Sequence, residues 1–364
     1  MLAPVTFDYT ARIRQRTEPG AAFVFALLPA RTHQQQLAME GLRVRGATVQ
    51  SVFTDAATAT RYLHLTARGG ALEVDLDAQL RLLQTESGEH LLHGETVPAP
   101  MAAPESLRFL LPSRFCPSDR LVPLCEREFL SIARPYARAV AVEAWIRRHV
   151  RDEPPGLADE EGVPPSATDV LERGAGTPRD LAHLLIGLCR ASRLPARYVT
   201  AVPFGAGLPA DRLHPWVEVL VEDVWLAFEP SRRLPRTALV RIGTGRDAAD
   251  VPLVLAHGPV SACRTELSLV PVGTDVPALQ ARDSDAEAVC AATLGSLGEA
   301  TRWHQEARLA ARRQQTPAPQ PAPCPSSRRP EAHAARRGAQ VLVFPTAATV
   351  GSPDPAARSH VEPV

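Results

Sequence analysis

His214 and Glu229 are residue types that could serve as a general base and as the carboxylate that orients it. His214 opens the triplet His214-Pro-Trp216, and Glu229 is the central residue of Phe228-Glu-Pro230. A histidine can accept the proton of a nucleophile, and a carboxylate bound to its other nitrogen fixes the ring. The pair therefore predicts nucleophilic chemistry, provided that a third residue supplies the nucleophile.

The segment from Gly174 to His183 has the features of a helix start that could hold a nucleophile. Thr177 and Asp180 form the T-x-x-D pattern of a capping box, and leucines follow at helical spacing, so the sequence predicts a helix from position 178. A cysteine in the first turn would feel the helix macrodipole, which favours the thiolate. This chain has Pro178 there. Proline suits the first helical position, but it has no group that can attack a carbonyl.

The three motifs together resemble the active-site frame of bacterial transglutaminase-like proteins, whose pattern is G-x-C-R-D-x-A-H, then H-A-W, then F-D-P. This chain departs from the pattern at three places, because Pro178 replaces the cysteine, Pro215 the alanine and Glu229 the aspartate. Segments 191–199 and 241–251 match later motifs of the family. The resemblance implies a papain-like fold with a Cys-His-Asp triad.

The resemblance also implies thiol-based acyl transfer, on a glutamine side chain or a peptide bond, to an amine or to water. His214 would be the base and Glu229 its orienting group, while Trp216 and Thr177 would line a peptide groove. No cofactor and no metal ion is expected. Loss of the nucleophile at Pro178 should lower the rate about a millionfold, so we expect a catalytically degenerate member.

Three functional outcomes stay open at this point. A transglutaminase-like pseudoenzyme would keep the groove and bind a peptide or protein partner. A residual amidase or protease-type hydrolase would use water activated by His214. A decaying paralogue would retain no ligand. The sequence favours the first outcome, and it does not predict an oligomeric state.

Other candidate nucleophiles lie in settings that favour structural roles. Cys189 lies three helical turns beyond position 178, about 16 Å along the axis, among apolar neighbours. The hydroxyl of Thr177 is required by the helix cap. Cys116 lies near the junction of two predicted domains, and His183 is expected to pack beneath the site.

Sequence patterns divide the chain into three segments. Residues 1–105 alternate apolar and polar positions and predict an antiparallel β-sandwich. Residues 106–273 mix helical and strand patterns, and the resemblance implies that they form the transglutaminase-like (papain-like) α+β domain. Residues 274–364 predict one helix over 283–314, followed by Pro-, Ala- and Arg-rich sequence that is expected to be mostly disordered. The expected fold class is therefore α+β.

Within residues 106–273, a helix is predicted over 135–150 with Pro135 in its first turn. Its expected core-facing residues are Val140, Ala141, Trp145 and Ile146. A short helix is predicted over 166–172, ahead of the active-site frame. Three strands are predicted after that frame, over 196–202, 215–221 and 224–228.

Charge and cysteine content exclude several classes of partner. The chain of 364 residues has 40 basic and 40 acidic residues and a formal net charge of zero, which gives no electrostatic case for nucleic acid or a membrane surface. No apolar run approaches the roughly 20 residues that span a bilayer. The six cysteines show no zinc-ligand spacing. Without a recognisable secretory signal, a cytoplasmic location is expected.

Overall fold

The computed structural model describes most of the chain up to residue 273 and one short segment beyond it. The described residues are 4–32, 34–83, 104–154, 163–204, 212–221, 224–231, 233–234, 239–258, 263–273 and 340–343. The predicted helix over 283–314 and the proline-rich sequence after it lie outside these residues and stay predictions. The α+β class is confirmed, since an antiparallel sheet precedes a domain of mixed helices and strands.

Strands outnumber helices among the described residues. Two 3-10 helices, Pro104–Phe109 and Ser118–Leu121, precede the first α-helix. The α-helices are α1 Val122–Glu128, α2 Pro135–His149, α3 Ala167–Arg173 and α4 Pro178–Ala191. The strands are β1 Val5–Leu28, β2 Gln35–Arg45, β3 Ala47–Thr54, β4 Arg61–Leu82, β5 Arg151–Asp152, β6 Ala175–Gly176, β7 Ala196–Pro203, β8 His214–Val221, β9 Val224–Phe228, β10 Leu239–Gly245, β11 Val254–His257, β12 Arg264–Pro271 and β13 Gln340–Val343.

The first sheet has the strand order β11-β1-β4-β2-β13, with β12 also paired to β1 and β3 also paired to β4. An irregularity between Pro19 and Ala22 divides β1, so that β12 pairs with its first half and β11 with its second. Two strands from residues 254–271 therefore complete a sheet that the N-terminal residues begin. Gln340–Val343 pairs antiparallel with β2, and the expectation that the tail is mostly disordered stays a prediction.

The alternation predicted for the N-terminal strands is confirmed by their burial. Phe7, Tyr9, Ala11 and Ile13 of β1 are all buried in one apolar core. Charged residues alternate with them on the opposite face, where Arg14 Nη2 lies 2.6 Å from Asp75 Oδ1 across the β1–β4 pair. One face of this part of the sheet is thus apolar and the other is covered with ion pairs.

The second sheet has four antiparallel strands in the order β10-β7-β8-β9, and α4 packs against it. Leu181, Leu184, Leu185 and Leu188 of α4 share a core with strand residues such as Val217. All three strands predicted after the active-site frame are present, and the short helix and the Pro135 helix are confirmed within one or two residues. α4 begins at Pro178 and β8 begins at His214. The packing of α4 against β8 therefore positions the two parts of the candidate site relative to each other.

Buried polar side chains join the two sheets. Gln35 Nε2 donates to the backbone oxygen of Arg241 at 2.8 Å, and the Arg241 N–H donates back to Gln35 Oε1 at 2.8 Å. Thr60 and Thr244 make a similar reciprocal pair, at 2.9 and 2.8 Å. Buried amide and hydroxyl groups require such partners. The first sheet therefore fixes the position of β10 and, through it, the sheet that carries the site.

None of the helices in the described part of the chain combines the length and the apolar character needed to cross a bilayer.

Candidate active site

Pro178 is the first residue of α4, and it is buried. The predicted capping box is present, because Thr177 Oγ1 accepts the Asp180 N–H at 3.4 Å and Asp180 Oδ2 accepts the Thr177 N–H at 3.0 Å. Thr177 is only 4% exposed, so its hydroxyl is explained by the cap. The first turn of this helix is intact and offers no thiol.

Gly176 has a steric role that sequence reasoning missed. A Cβ atom at this position would lie 2.8 Å from Asp180 Cβ and 3.1 Å from Val170 Cγ1. Any larger residue would force the Asp180 side chain, and with it Val170, to shift.

His214 and Glu229 are brought together as predicted, with His214 Nε2 3.0 Å from Glu229 Oε1. The His214 side chain is 14% exposed and the Glu229 side chain 1%, so the carboxylate is buried behind the ring. His214 lies opposite Ala201 in the β7–β8 pair. The β8–β9 pairing begins only at Val217, so the N–H that Pro215 lacks falls outside that ladder.

The residues that follow Glu229 fold back onto its carboxylate. Glu229 Oε1 accepts hydrogen bonds from the Ser231 hydroxyl and from the Ser231 N–H, the latter at 3.3 Å. Glu229 Oε2 accepts the Arg233 N–H at 3.0 Å. The extra methylene of glutamate relative to aspartate therefore does not leave this carboxylate loose.

Two arginines tie this turn to the rest of the domain. Arg147 of α2 donates from Nη2 to the backbone oxygen of Glu229 at 3.2 Å and also pairs with Glu143 at 3.0 Å. Arg233 Nε lies 2.6 Å from Asp152 Oδ2 in β5. Sequence reasoning missed these contacts, because Arg147 and Asp152 are far from Glu229 in the chain. Only Ser231, two residues beyond Glu229, lies near enough in the sequence for its contact with Glu229 to be inferred locally.

These contacts define the hydrogen-bonding state of the histidine. Among the described residues, the partners of the Glu229 carboxylate other than His214 are N–H or O–H donors, which suits a carboxylate that acts as an acceptor. The His214 tautomer that fits this acceptor carries hydrogen on Nε2 and donates it, which leaves the lone pair on Nδ1. This arrangement gives an oriented base that could receive a proton at Nδ1.

Trp216 lies beneath His214 and does not present a surface. It is fully buried, and the two rings meet edge to face with centroids 4.8 Å apart. Val199 and Ala201 of β7 pack around it. Its Nε1–H has no hydrogen-bond partner among the described residues. Trp216 thus packs against the His214 ring inside the protein. The sequence had predicted that it lines the groove, and its burial contradicts that prediction.

His183 lies on α4 and is fully buried, as the packing interpretation predicted. Its ring stacks on Phe115 with centroids 5.1 Å apart, and Nε2 accepts the Ala248 N–H at 3.2 Å. Burial lowers the pKa of His183 to about 3, and the nearby Asp247 only partly opposes that shift. This histidine is therefore a neutral packing group near neutral pH.

The four cysteines within the described residues are free, and none resembles an activated thiol. Cys116 and Cys189 are fully buried, and burial raises the pKa of Cys116 to about 12 and that of Cys189 further. Burial also raises the pKa of Cys125 and of Cys263. In the same part of the chain, no three His, Cys, Asp or Glu side chains are grouped as metal ligands.

Comparison with known proteins matches the region that holds this site to a protein superfamily. Residues 127–230, which include Pro178, His214 and Glu229, match the transglutaminase-like superfamily. The crystal structure of a candidate cysteine protease from Cytophaga hutchinsonii is similar, with a TM-score of 0.65 and 28% sequence identity. That similarity covers 75% of this chain and 93% of the Cytophaga protein.

A curated relative adds a partial sequence match. An uncharacterised protein of Mycobacterium leprae (strain TN) is 27% identical over 150 residues. The match covers 39% of this chain and 52% of the relative, so the chain spans about half the length of that protein. Together with the geometry of α4, β8 and β9, these findings show that the chain contains a transglutaminase-like superfamily domain at residues 127–230.

Proposed function

We propose that this protein is a catalytically degenerate transglutaminase-like protein that binds a peptide or protein partner at the His214 site. The proposal rests on a contrast between the retained base and the missing nucleophile of the site. An oriented His214–Glu229 pair is retained, while the first position of the helix that packs against β8 is proline. A base without a nucleophile cannot form an acyl-enzyme.

The setting of the described thiols supports the loss of covalent chemistry. Cys116, Cys125 and Cys189 are buried in the core and Cys263 is half-buried on the first sheet, and in each case burial favours the thiol form. A nucleophilic cysteine needs an accessible, electropositive setting that lowers its pKa. These four cysteines have the opposite setting. A substitute thiol among them is therefore not expected.

A peptide ligand is proposed because the retained pair can recognise an amide without attacking it. His214 is partly exposed and its Nδ1 lone pair can accept the N–H of a glutamine side chain or a backbone amide. The Glu229 hydrogen bonds hold the ring in place before a ligand arrives, which lowers the entropic cost of binding. The same geometry would serve an acyl-transfer site if a thiol were present.

Restoring the thiol tests this proposal directly. Amine incorporation into a glutamine-rich protein and hydrolysis of its peptide bonds would be measured for wild type, Pro178→Cys and the matched controls Pro178→Ser and Pro178→Ala. We expect turnover and alkylation of the introduced thiol only in Pro178→Cys, at least about a thousandfold above the controls. Calorimetric titration of wild type with a glutamine-containing peptide should show saturable binding that His214→Ala weakens.

Each contrary result identifies a different alternative. Wild-type turnover that His214→Ala abolishes would contradict degeneracy and support a hydrolase that uses water activated by His214. Failure of wild type both to turn over and to bind peptide would support a paralogue without a ligand. Peptide binding without turnover in any of the variants would support the binding function. It would also mean that residues other than Pro178 prevent turnover.

A further inference from the structure

The hydroxyl of Ser231 lies at the point where the extra length of Glu229 must be accommodated. It donates to Glu229 Oε1, the same oxygen that receives His214 Nε2. Its own oxygen lies 3.4 Å from the Arg233 nitrogen and accepts that N–H, which directs the hydroxyl proton toward the carboxylate. The hydroxyl is therefore fixed at both its donor and its acceptor side.

We propose that Ser231 is a positioning residue, which holds the Glu229 carboxylate against His214 and so compensates for a side chain one methylene longer than aspartate. The inference rests on the proposed role of the His214–Glu229 pair as the retained part of the site. Ser231 acts through Glu229 and does not contact the ligand.

A role limited to closing the turn does not require the hydroxyl. The Ser231 N–H and the Arg233 N–H already bind the two carboxylate oxygens, and the Arg147 guanidinium binds the Glu229 carbonyl. These backbone contacts would persist after Ser231→Ala. Among the described residues, the hydroxyl adds a second side-chain contact to Oε1 beside that of His214, and we expect this contact to keep the longer carboxylate from rotating away from Nε2.

Proton NMR of the His214 Nε2–H tests the proposal in the protein with Pro178 in place. Hydrogen bonding to a buried carboxylate should give a protected downfield imidazole signal, assigned by its loss in His214→Gln. We expect Ser231→Ala to speed exchange of this proton by at least about tenfold, which corresponds to about 1.4 kcal/mol. Ser231→Thr, which keeps the hydroxyl, should stay within about twofold of wild type.

Ser166→Ala is the matched control, because Ser166 also donates to a carboxylate, Asp169 Oδ2 at 2.7 Å, but at the start of α3. It should leave the His214 signal unchanged. Unchanged exchange in Ser231→Ala, equal effects of both alanine variants, or no protected proton in wild type would each overturn the proposal.

A double-mutant cycle then separates this proposal from the proposed function. With Glu229→Asp in place, Ser231→Ala should have less effect on exchange, because the shorter side chain does not need the hydroxyl. Equal effects in both backgrounds would overturn the compensation. None of these readouts requires turnover, so failure of Pro178→Cys to gain activity would count against the proposed function and not against Ser231.

Discussion

Two histidines of the transglutaminase-like domain, His183 and His214, have the same side chain in opposite surroundings. His183 is fully buried on α4, stacked on Phe115, and its Nδ1 has no partner among the described residues. His214 is partly exposed at the start of β8, and its Nε2 donates to a buried carboxylate. Both histidines lie in motifs that resemble those of the transglutaminase-like family. Of the two, His214 has the carboxylate partner that orients a base. The role of a histidine here is set by what its second nitrogen contacts.

The largest effect that separates the two histidines should appear in a variant that has the thiol. In the Pro178→Cys background, we expect His214→Ala to lower kcat/KM by at least about a thousandfold, because it removes the base. His183→Gln keeps an acceptor near the Ala248 N–H and should cost less than about tenfold. Steady-state kinetics on a glutamine-containing peptide measures both. A comparable loss in both variants would mean that the distinction between base and packing group is wrong.

The next effect concerns the pH dependence of stability. The folded state lowers the pKa of His183 to about 3, whereas the unfolded chain takes up the proton near the ordinary value of 6.5. Protonation therefore favours unfolding, and this contribution grows as pH falls below about 6.5 by up to about 1.4 kcal/mol per unit. At pH 4.5 it should reach roughly 2–3 kcal/mol. It is absent above pH 7.

Urea denaturation of wild type and His183→Gln between pH 7.5 and 4.5 measures this contribution. The difference between their free energies of unfolding should shrink or change sign as the pH falls, since glutamine does not titrate. Acid-sensitive groups that do not act on His183, such as Asp250, are present in both proteins and cancel in the comparison. A difference that is constant with pH would show that the buried imidazole does not resist protonation.

The smallest effect concerns the helix cap and should leave the His214 pair untouched. Thr177→Ala removes one half of the buried capping box of α4 and should lower the free energy of unfolding by about 1 kcal/mol. Ser166→Ala does the same at the more exposed cap of α3 and should cost less. Denaturation midpoints measure both. If Thr177→Ala also accelerated exchange of the His214 Nε2 proton, the two ends of the site would be coupled after all.

Local signals predicted the helix that carries the site. Thr177, Asp180 and the leucines of α4 lie within a few turns of one another, so cap and apolar face could be inferred from neighbours. The buried face of α2 was only partly predicted, because Ala139 and Val142 are fully buried whereas Val140 and Ala141 are partly exposed. Residues 139–142 are all apolar, so the pattern could not fix the rotation of that helix.

Contacts between distant segments could not be predicted in the same way. The pairing of His214 with Glu229 followed from family motifs, but the contribution of Arg147 depends on how α2 packs. Alternation predicts that a segment is a strand, but it does not name the partner strand. For that reason β11 and β12 gave no sign that they pair with β1. The burial of Trp216 likewise depends on strand pairing and not on its motif.

The place of β12 in the first sheet has a consequence for how the protein is made. Phe7 lies opposite Leu80 and opposite Pro271 in the two neighbouring strands. During synthesis, β4 can reach β1 early, but β12 leaves the ribosome only after the whole transglutaminase-like domain. At about 5–20 residues per second, the outer edge of β1 stays unpaired for roughly 10–40 s. An open strand edge is a template for wrong pairing. The length of the intervening domain therefore sets how long the nascent chain needs protection.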